Sequence, residues 1–208
     1  MKAYIKLKTV VDAGVAFVAL LLLWPFFLII AIAIKVESKG PVFFKQRRIA
    51  RYKEEFFILK FRTMRTDTPK DMPTHLLQNP EIFITRVGRL LRKTSLDELP
   101  QIINILKGEM SIVGPRPALW NQYDLIAERD KYGANNIKPG LTGWAQINGR
   151  DELPNAIKAE FDGDYTKRMS FGLDIRIFFK TITNVLRSEG VVEGGNTETA
   201  VKAKGVGS

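Results

Sequence analysis

From Ala13 to Ile34 the chain runs for 22 residues without a formal charge, and nearly all of them are apolar. A helix needs roughly 20 such residues to cross a hydrocarbon core. A cleaved signal has a shorter apolar stretch of about 7–15 residues, and no small-x-small site precedes a polar start here. The segment is therefore expected to meet lipid. Pro25 complicates a simple span, because a proline in mid-helix removes one backbone hydrogen bond and clashes with the preceding turn. Asp12 sits at the near edge of the run. Lys2, Lys6 and Lys8 precede it and Lys35 and Lys39 follow it, so the distribution of positive charge assigns neither flank to the far side. Hydropathy alone admits two trajectories: a kinked spanning helix, or a helix-break-helix at Pro25 that returns to the side it came from.

The remainder of the 208 residues suffices for one sizeable catalytic unit with a core. Thirty-two Lys and Arg against 22 Asp and Glu leave a formal charge of +10, which calls for anionic partners: nucleic acid, phosphorylated small molecules or an acidic membrane face. The chain has no Cys and one His, His75, which argues against zinc and thiol chemistry. His75 lies in a polar, proline-containing stretch, Thr66 to Pro80, expected to be a solvated loop.

The fold is expected to be α+β and mainly helical. Gly40-Pro41 ends the membrane segment, and Val42-Phe43-Phe44 with Phe56-Phe57-Ile58-Leu59 predicts a small β-hairpin around the basic stretch Lys45 to Lys53. Apolar residues at helical spacing from Phe83 to Leu106 predict two amphipathic helices parted near Thr94-Ser95, the second closed by Lys107-Gly108. Gly114-Pro115-Arg116-Pro117 and Pro139-Gly140-Leu141-Thr142-Gly143 are turn-rich connectors that suit ligand-binding backbone. Phe171 to Leu186 mixes Phe178, Phe179, Ile182 and Leu186 with Arg176 and Lys180, a composition for an interfacial amphipathic helix. Three segments follow: membrane residues 1–36, a catalytic domain 37–193, and a tail 194–208 expected to lack order.

The stretch Thr94-Ser95-Leu96-Asp97-Glu98-Leu99-Pro100-Gln101 sets two adjacent carboxylates at a helix start. A purely structural explanation is available, since Ser95 and Glu98 have the spacing of a capping box and acidic residues suit the positive end of a helix. Pro100 disturbs it, because a proline deep in the first turns removes a needed N–H and moves the regular helix toward Leu99. The neighbours are cationic: Arg86, Arg89, Arg92 and Lys93 upstream, Arg116 downstream. Carboxylates set among so many phosphate-binding side chains point to anion chemistry.

In order along the chain stand the membrane segment with Pro25, Gly40-Pro41-Val42-Phe43-Phe44 with Gln46 and Arg48, Lys60-Phe61-Arg62-Thr63-Met64, and Ser95 to Gln101. Gly108-Glu109-Met110-Ser111, Gly114 to Pro117 and Pro139 to Gly143 follow. With this ordered set the chain resembles the bacterial sugar transferase family of small monotopic phosphoglycosyl transferases, from about Lys6 to about Gly190. Asp162, Tyr165, Ser170 and Asp174 match its C-terminal pattern. The resemblance implies a re-entrant membrane helix on the cytoplasmic face of the bacterial inner membrane. It implies transfer of a sugar 1-phosphate from a UDP-sugar to undecaprenyl phosphate with release of UMP, through a covalent phosphosugar on Asp97. Glu98 would assist, and both carboxylates would bind Mg²⁺, a hard cation that suits oxygen ligands.

Arg116 is the first candidate for a phosphate clamp, its backbone held between prolines, with a surface ion pair as the alternative. Arg92 is a second candidate. Arg62 either binds phosphate or ties the hairpin to the core. Gly140 and Gly143 either admit ligand close to the backbone or serve a turn. Asp162 is a further metal-associated or nucleotide-side carboxylate, or a solvated helix-face residue, and Tyr165 is assigned to the core. The family usually has glycines near positions 50 and 53, where this chain has Ala50 and Lys53, which puts the hairpin tip in doubt. No nucleic-acid-binding signature accompanies the positive charge, so nucleic acid is not expected as a partner. A non-catalytic membrane scaffold and a tethered nucleic-acid-binding protein are the rivals from other classes.

Overall fold

The computed structural model describes residues 2–68, 80–149 and 153–186. His75, most of the polar stretch before Pro80 and the tail from Gly194 fall outside them. A helix rich in Ala, Leu and Ile opens the chain: α1, Lys2–Glu37. It is continuous through Pro25, so the break expected there is not seen. Pro25 lies on the exposed face, where its ring meets no other element; only the carbonyl of Leu21 loses its helical donor.

Burial along α1 recurs every three or four residues, at Tyr4, Lys8, Asp12, Ala16, Leu20, Leu23, Phe27, Ile30 and Ile34. These positions form one helical stripe about 45 Å long at 1.5 Å per residue. Ala16, Ala19, Leu20 and Leu23 pack on Phe56, Ile58, Ile102, Ile105 and Met110. Phe27, Ile30 and Ile34 pack on Phe61 and Leu91. The helix thus lies along the rest of the fold and shares its core. The opposite face leaves Leu22, Trp24, Phe26, Ile29 and Val36 exposed.

The expected hairpin is present, with longer strands: β1 (Phe43–Ile49) pairs antiparallel with β2 (Glu55–Phe61). Strand alternation puts Lys60 on the face of Phe56 and Ile58, while Phe61 points back to α1 against Phe27. At the tip Tyr52 and Lys53 adopt φ of 59° and 63°, so Lys53 occupies a left-handed conformation that glycine takes freely. The glycine-to-lysine departure falls on a residue that needs it. Lys53 ties down instead through Asp130 at 3.1 Å, and Arg51 donates to the Asn136 carbonyl.

Asn104, fully buried on α3 (Gln101–Leu106), holds the hairpin from outside the ladder. Its Oδ1 accepts from the Leu59 N–H at 3.0 Å, and its Nδ2 donates to the Phe57 carbonyl at 2.9 Å and to Glu109 at 2.7 Å. Asn104→Ala is expected to destabilise the fold by about 1–3 kcal/mol, because it takes their partner from two partly buried backbone groups. Thermal melting of the purified variant measures this.

Helix α2 (Arg86–Lys93) begins at Thr85, whose side chain accepts from the Gly88 N–H, and reaches the core at Gly88 and Leu91. A Cβ on Gly88 would stand 2.0 Å from the Thr63 carbonyl oxygen, so only glycine lets α2 press on the end of β2. Of the two turn-rich connectors, Gly114 to Pro117 follows β3 (Ser111–Val113), whereas Pro139 to Gly143 is largely a strand, β4 (Gly140–Thr142), which pairs parallel with β3. Helices α4 (Tyr123–Asp130), α5 (Trp144–Ile147), α6 (Asn155–Arg168) and α7 (Phe171–Leu186) complete the fold. Helix α7 spans the segment expected from sequence, with Phe171 and Phe179 exposed.

The N-terminal end of α1 is tied to this region. Lys8 donates to Asp174 at 2.6 Å, Tyr4 and Tyr165 both donate to Asp174, and Ser111 donates to Asp12 at 2.6 Å. Tyr165 belongs to the core, as expected.

Candidate active site

The acidic stretch does not form a capping box. Ser95 is left-handed with φ 56° and makes no side-chain cap bond, and Leu96–Glu98 is a single 3₁₀ turn. Leu99 and Pro100 continue with right-handed helical dihedrals, and α3 begins only at Gln101. Pro100 stands just ahead of the first helical residue, where its missing N–H costs nothing.

The two carboxylates have different surroundings. Glu98 Oε1 accepts from Lys60 Nζ at 2.7 Å and from Arg116 Nη2 at 2.9 Å, with a stretched 3.5 Å contact from Arg116 Nη1 to Oε2. This is why the capping box fails: β2 and the proline-flanked loop both claim the carboxylate that would have reached back to Ser95. Asp97 makes no hydrogen bond or ion pair among the described residues. It is half-buried on the outer side of the turn.

Their electrostatics diverge accordingly. Burial pushes Asp97 above the ordinary carboxylate range; Glu98 adds to this, while Lys60, Arg92 and Arg116 oppose it. Burial also pushes Glu98 up, but Arg116 and Lys60 outweigh it and hold Glu98 well below the usual range. One carboxylate is pinned and charged, and its neighbour is open and surrounded by cations. Such a pair can hold a nucleophile ready while fixed cations meet a phosphate.

Lys60 was not singled out from sequence. Nothing local marks it; its role follows from strand alternation, which turns it to the inner face of the hairpin, and from the Asn104 clamp on the adjoining backbone. Arg116 is in an ion pair, but with Glu98 rather than at a remote surface, and its side chain stays 34% exposed. Arg92 also faces the pair, its Nε donating to Thr63 Oγ1 at 2.9 Å.

The structure gives the other candidates protein contacts. Arg62 is the hairpin tie: buried, it donates to the carbonyls of Ser38 and Lys39 and to the Ser38 hydroxyl, each at 2.8 Å, closing the chain beyond α1. Asp162 is not solvated; it is 1% exposed in a buried ion pair with Arg129 at 2.6 Å, between α6 and α4. Gly140 and Gly143 give room to protein backbone. A Cβ on either would stand 2.1 Å from the Gly114 backbone. Gly140 N donates to the Pro115 carbonyl and Gly114 N to the Thr142 carbonyl, so these glycines set the loop that carries Arg116. Gly140→Ala is expected to lower stability by about 2 kcal/mol through overpacking and to displace Arg116. A melting curve beside an activity assay separates the two effects.

The donor set fits a magnesium ion only in part. Among the described residues no group of three or more His, Cys, Asp or Glu gathers to hold a metal. Asp97 and the less engaged Oε2 of Glu98 supply two carboxylates, the number Mg²⁺ takes when substrate phosphates complete its shell.

The family model described as bacterial sugar transferase matches residues 3–188. A UDP-glucose:undecaprenyl-phosphate glucose-1-phosphate transferase of Xanthomonas campestris pv. campestris is 43% identical over 190 residues, covering 88% of this chain and 39% of the relative. The uncharacterized sugar transferase EpsL of Bacillus subtilis (strain 168) is 44% identical over 181 residues, 87% of this chain and 86% of the relative. A UDP-N-acetylgalactosamine-undecaprenyl-phosphate N-acetylgalactosaminephosphotransferase of Aeromonas hydrophila is 38% identical over 193 residues, 90% of this chain and 45% of the relative. The chain thus spans under half of two of these relatives and most of the third.

Proposed function

We propose that this chain, which belongs to the bacterial sugar transferase family, is a phosphoglycosyl transferase that moves a sugar 1-phosphate from a UDP-sugar to undecaprenyl phosphate. The observation that carries the proposal is the unequal carboxylate pair: Glu98 is locked by Lys60 and Arg116, while Asp97 makes no hydrogen bond or ion pair among the described residues. In the first step an Asp97 oxygen attacks the β-phosphorus of the donor. The new O–P bond forms as the bond to UMP breaks, and UMP leaves with the electron pair. In the second, a phosphate oxygen of undecaprenyl phosphate attacks the same phosphorus, and the Asp97 carboxylate departs unchanged. Two steps spare the enzyme from bringing two polyanions together at once.

Arg116 and Arg92 engage the donor phosphates, and Lys60 keeps Glu98 and Arg116 in register. Asp97 and Glu98 are the residues that would hold Mg²⁺ beside the donor phosphates, and a bound ion would supply charge neutralisation at the pyrophosphate. Lys60, Arg92 and Arg116 outnumber the two carboxylates in charge, which favours an anionic phosphate at the site.

The stripe on α1 supports a monotopic placement in which the continuous helix lies along the catalytic unit instead of breaking and returning at Pro25; the cytoplasmic face of the inner membrane is the side proposed for it. A spanning helix would separate its middle from the catalytic unit, whereas α1 packs on that unit from Tyr4 to Ile34. Its exposed apolar face, with Phe171 and Phe179 of α7 at the interface, is the lipid-facing side. The test is UMP release from a panel of UDP-sugars with detergent-solubilised protein, undecaprenyl phosphate and Mg²⁺. Release that depends on acceptor, and a phosphosugar adduct on Asp97 when acceptor is withheld, is the expected result. No release with any donor would return the chain to the non-catalytic scaffold.

A further inference from the structure

Helix α2 presents an arc of side chains that the proposed chemistry does not use. At 3.6 residues per turn, Val87 and Leu91 point to α1, Gly88 to Thr63 and Arg92 to the carboxylate pair. Around the remaining side, in angular order from the α1 edge, stand Leu90, Arg86, Lys93 and Arg89, all exposed, with Leu90 61% exposed. Among the described residues, the side chains of Arg86, Arg89 and Lys93 make no hydrogen bond or ion pair. One apolar residue beside the membrane helix, followed by three cations leading toward the active site, is an arrangement that no partner among the described residues satisfies.

The arc is also fixed relative to α1. The Glu37 carboxylate accepts from the backbone N–H groups of Arg86 and Val87 at 2.6 and 2.9 Å, lashing the start of α2 to the end of the membrane helix. Exposed Ile32 and Val36 continue the apolar face there. We infer that this arc docks on the headgroups of anionic phospholipids, with Leu90 in the acyl boundary and Arg86, Arg89 and Lys93 on phosphates. Each cation near an anionic surface strengthens attachment roughly fivefold. Because α2 ends four residues before Asp97, the contact fixes the height of the site above the bilayer. The inference rests on the membrane placement proposed above.

The chain has no cysteine, so a single introduced thiol reports only on its own position. The full chain in lipid nanodiscs, carrying a polarity-sensitive fluorophore at Leu90→Cys, is compared with the same label at Phe26→Cys on α1 and at Tyr123→Cys on α4. The expected result is a Phe26 label that is apolar in every nanodisc, a Tyr123 label that stays aqueous, and a Leu90 label that turns apolar as phosphatidylglycerol replaces phosphatidylcholine. In the R86Q/R89Q/K93Q background the Leu90 shift should need a severalfold higher phosphatidylglycerol fraction.

An aqueous Phe26 label would sink the membrane placement itself. An apolar Phe26 label with an aqueous Leu90 label at every composition would overturn the inference alone. A Leu90 shift already complete in pure phosphatidylcholine and unmoved by the triple variant would overturn it as well. So would a shift driven by a few per cent of undecaprenyl phosphate but not by phosphatidylglycerol, which would make the arc an acceptor site.

Discussion

Asp97→Asn is expected to cut UMP release by about a millionfold, the scale on which removal of a nucleophile acts, and to raise the melting temperature rather than lower it. The two changes have one cause. Asp97 is half-buried with no described hydrogen-bond partner, and its pKa lies above the ordinary aspartate value of 3.8, with burial the largest contribution. A carboxylate that binds its proton more tightly in the folded chain adds stability below that ordinary value and loses it as pH rises through the folded one. Near neutral pH the ionised side chain is therefore a burden on the fold, tolerated for the sake of a nucleophile. Asn removes the charge and keeps the shape. Melting of the two proteins from pH 4 to pH 8 should show the variant gaining on the wild type as pH rises. Asp97→Ala, which cannot revert by deamidation, guards the activity measurement. Substantial turnover in both variants would leave direct transfer between the substrates as the mechanism.

How much of this was legible in the sequence depends on the distance over which each feature is determined. Helix α7, the hairpin and the helix stop at Gly108 rest on local signals, and each forms where the pattern places it. Features decided by tertiary contact did not announce themselves. Ser95 and Glu98 have capping-box spacing, yet Lys60, 38 residues away, and Arg116 take the carboxylate instead. Gly140 and Gly143 have the look of ligand-binding turns, but the crowding partner is Gly114, which chain spacing cannot reveal. Asp162 and Arg129 meet across 33 positions, and Asn104 clamps a strand 45 positions upstream. The continuity of α1 through Pro25 has the same character. A proline on a face that meets no other element loses one bond and forces no break while packing on both sides of it holds the axis.

Glu98→Ala should produce the largest loss of stability among the site variants, about 4 kcal/mol, because it leaves Lys60 and Arg116 facing each other without an anion. Activity should fall with it, by about a hundredfold or more, since a misplacement of even 1 Å in positioning groups has that effect. Glu98→Gln separates the contributions. Its carbonyl still accepts from both cations, so the geometry of Arg116 survives while the charge does not, and its stability should lie between Ala and wild type. The pH dependence then isolates the charge. Lys60 and Arg116 hold the folded pKa of Glu98 below its ordinary value of 4.5, against the opposing pull of burial. Such a group adds stability that is present above the ordinary value and lost as pH falls toward the folded one. Wild type should therefore lose stability on acidification below about pH 4.5 more steeply than Glu98→Gln, the opposite slope to that contributed by Asp97. If Glu98→Gln instead follows the wild-type curve in acid, the ion pairs with Lys60 and Arg116 do not form in solution. Asp97 would then have to be held by contacts other than those of its neighbour.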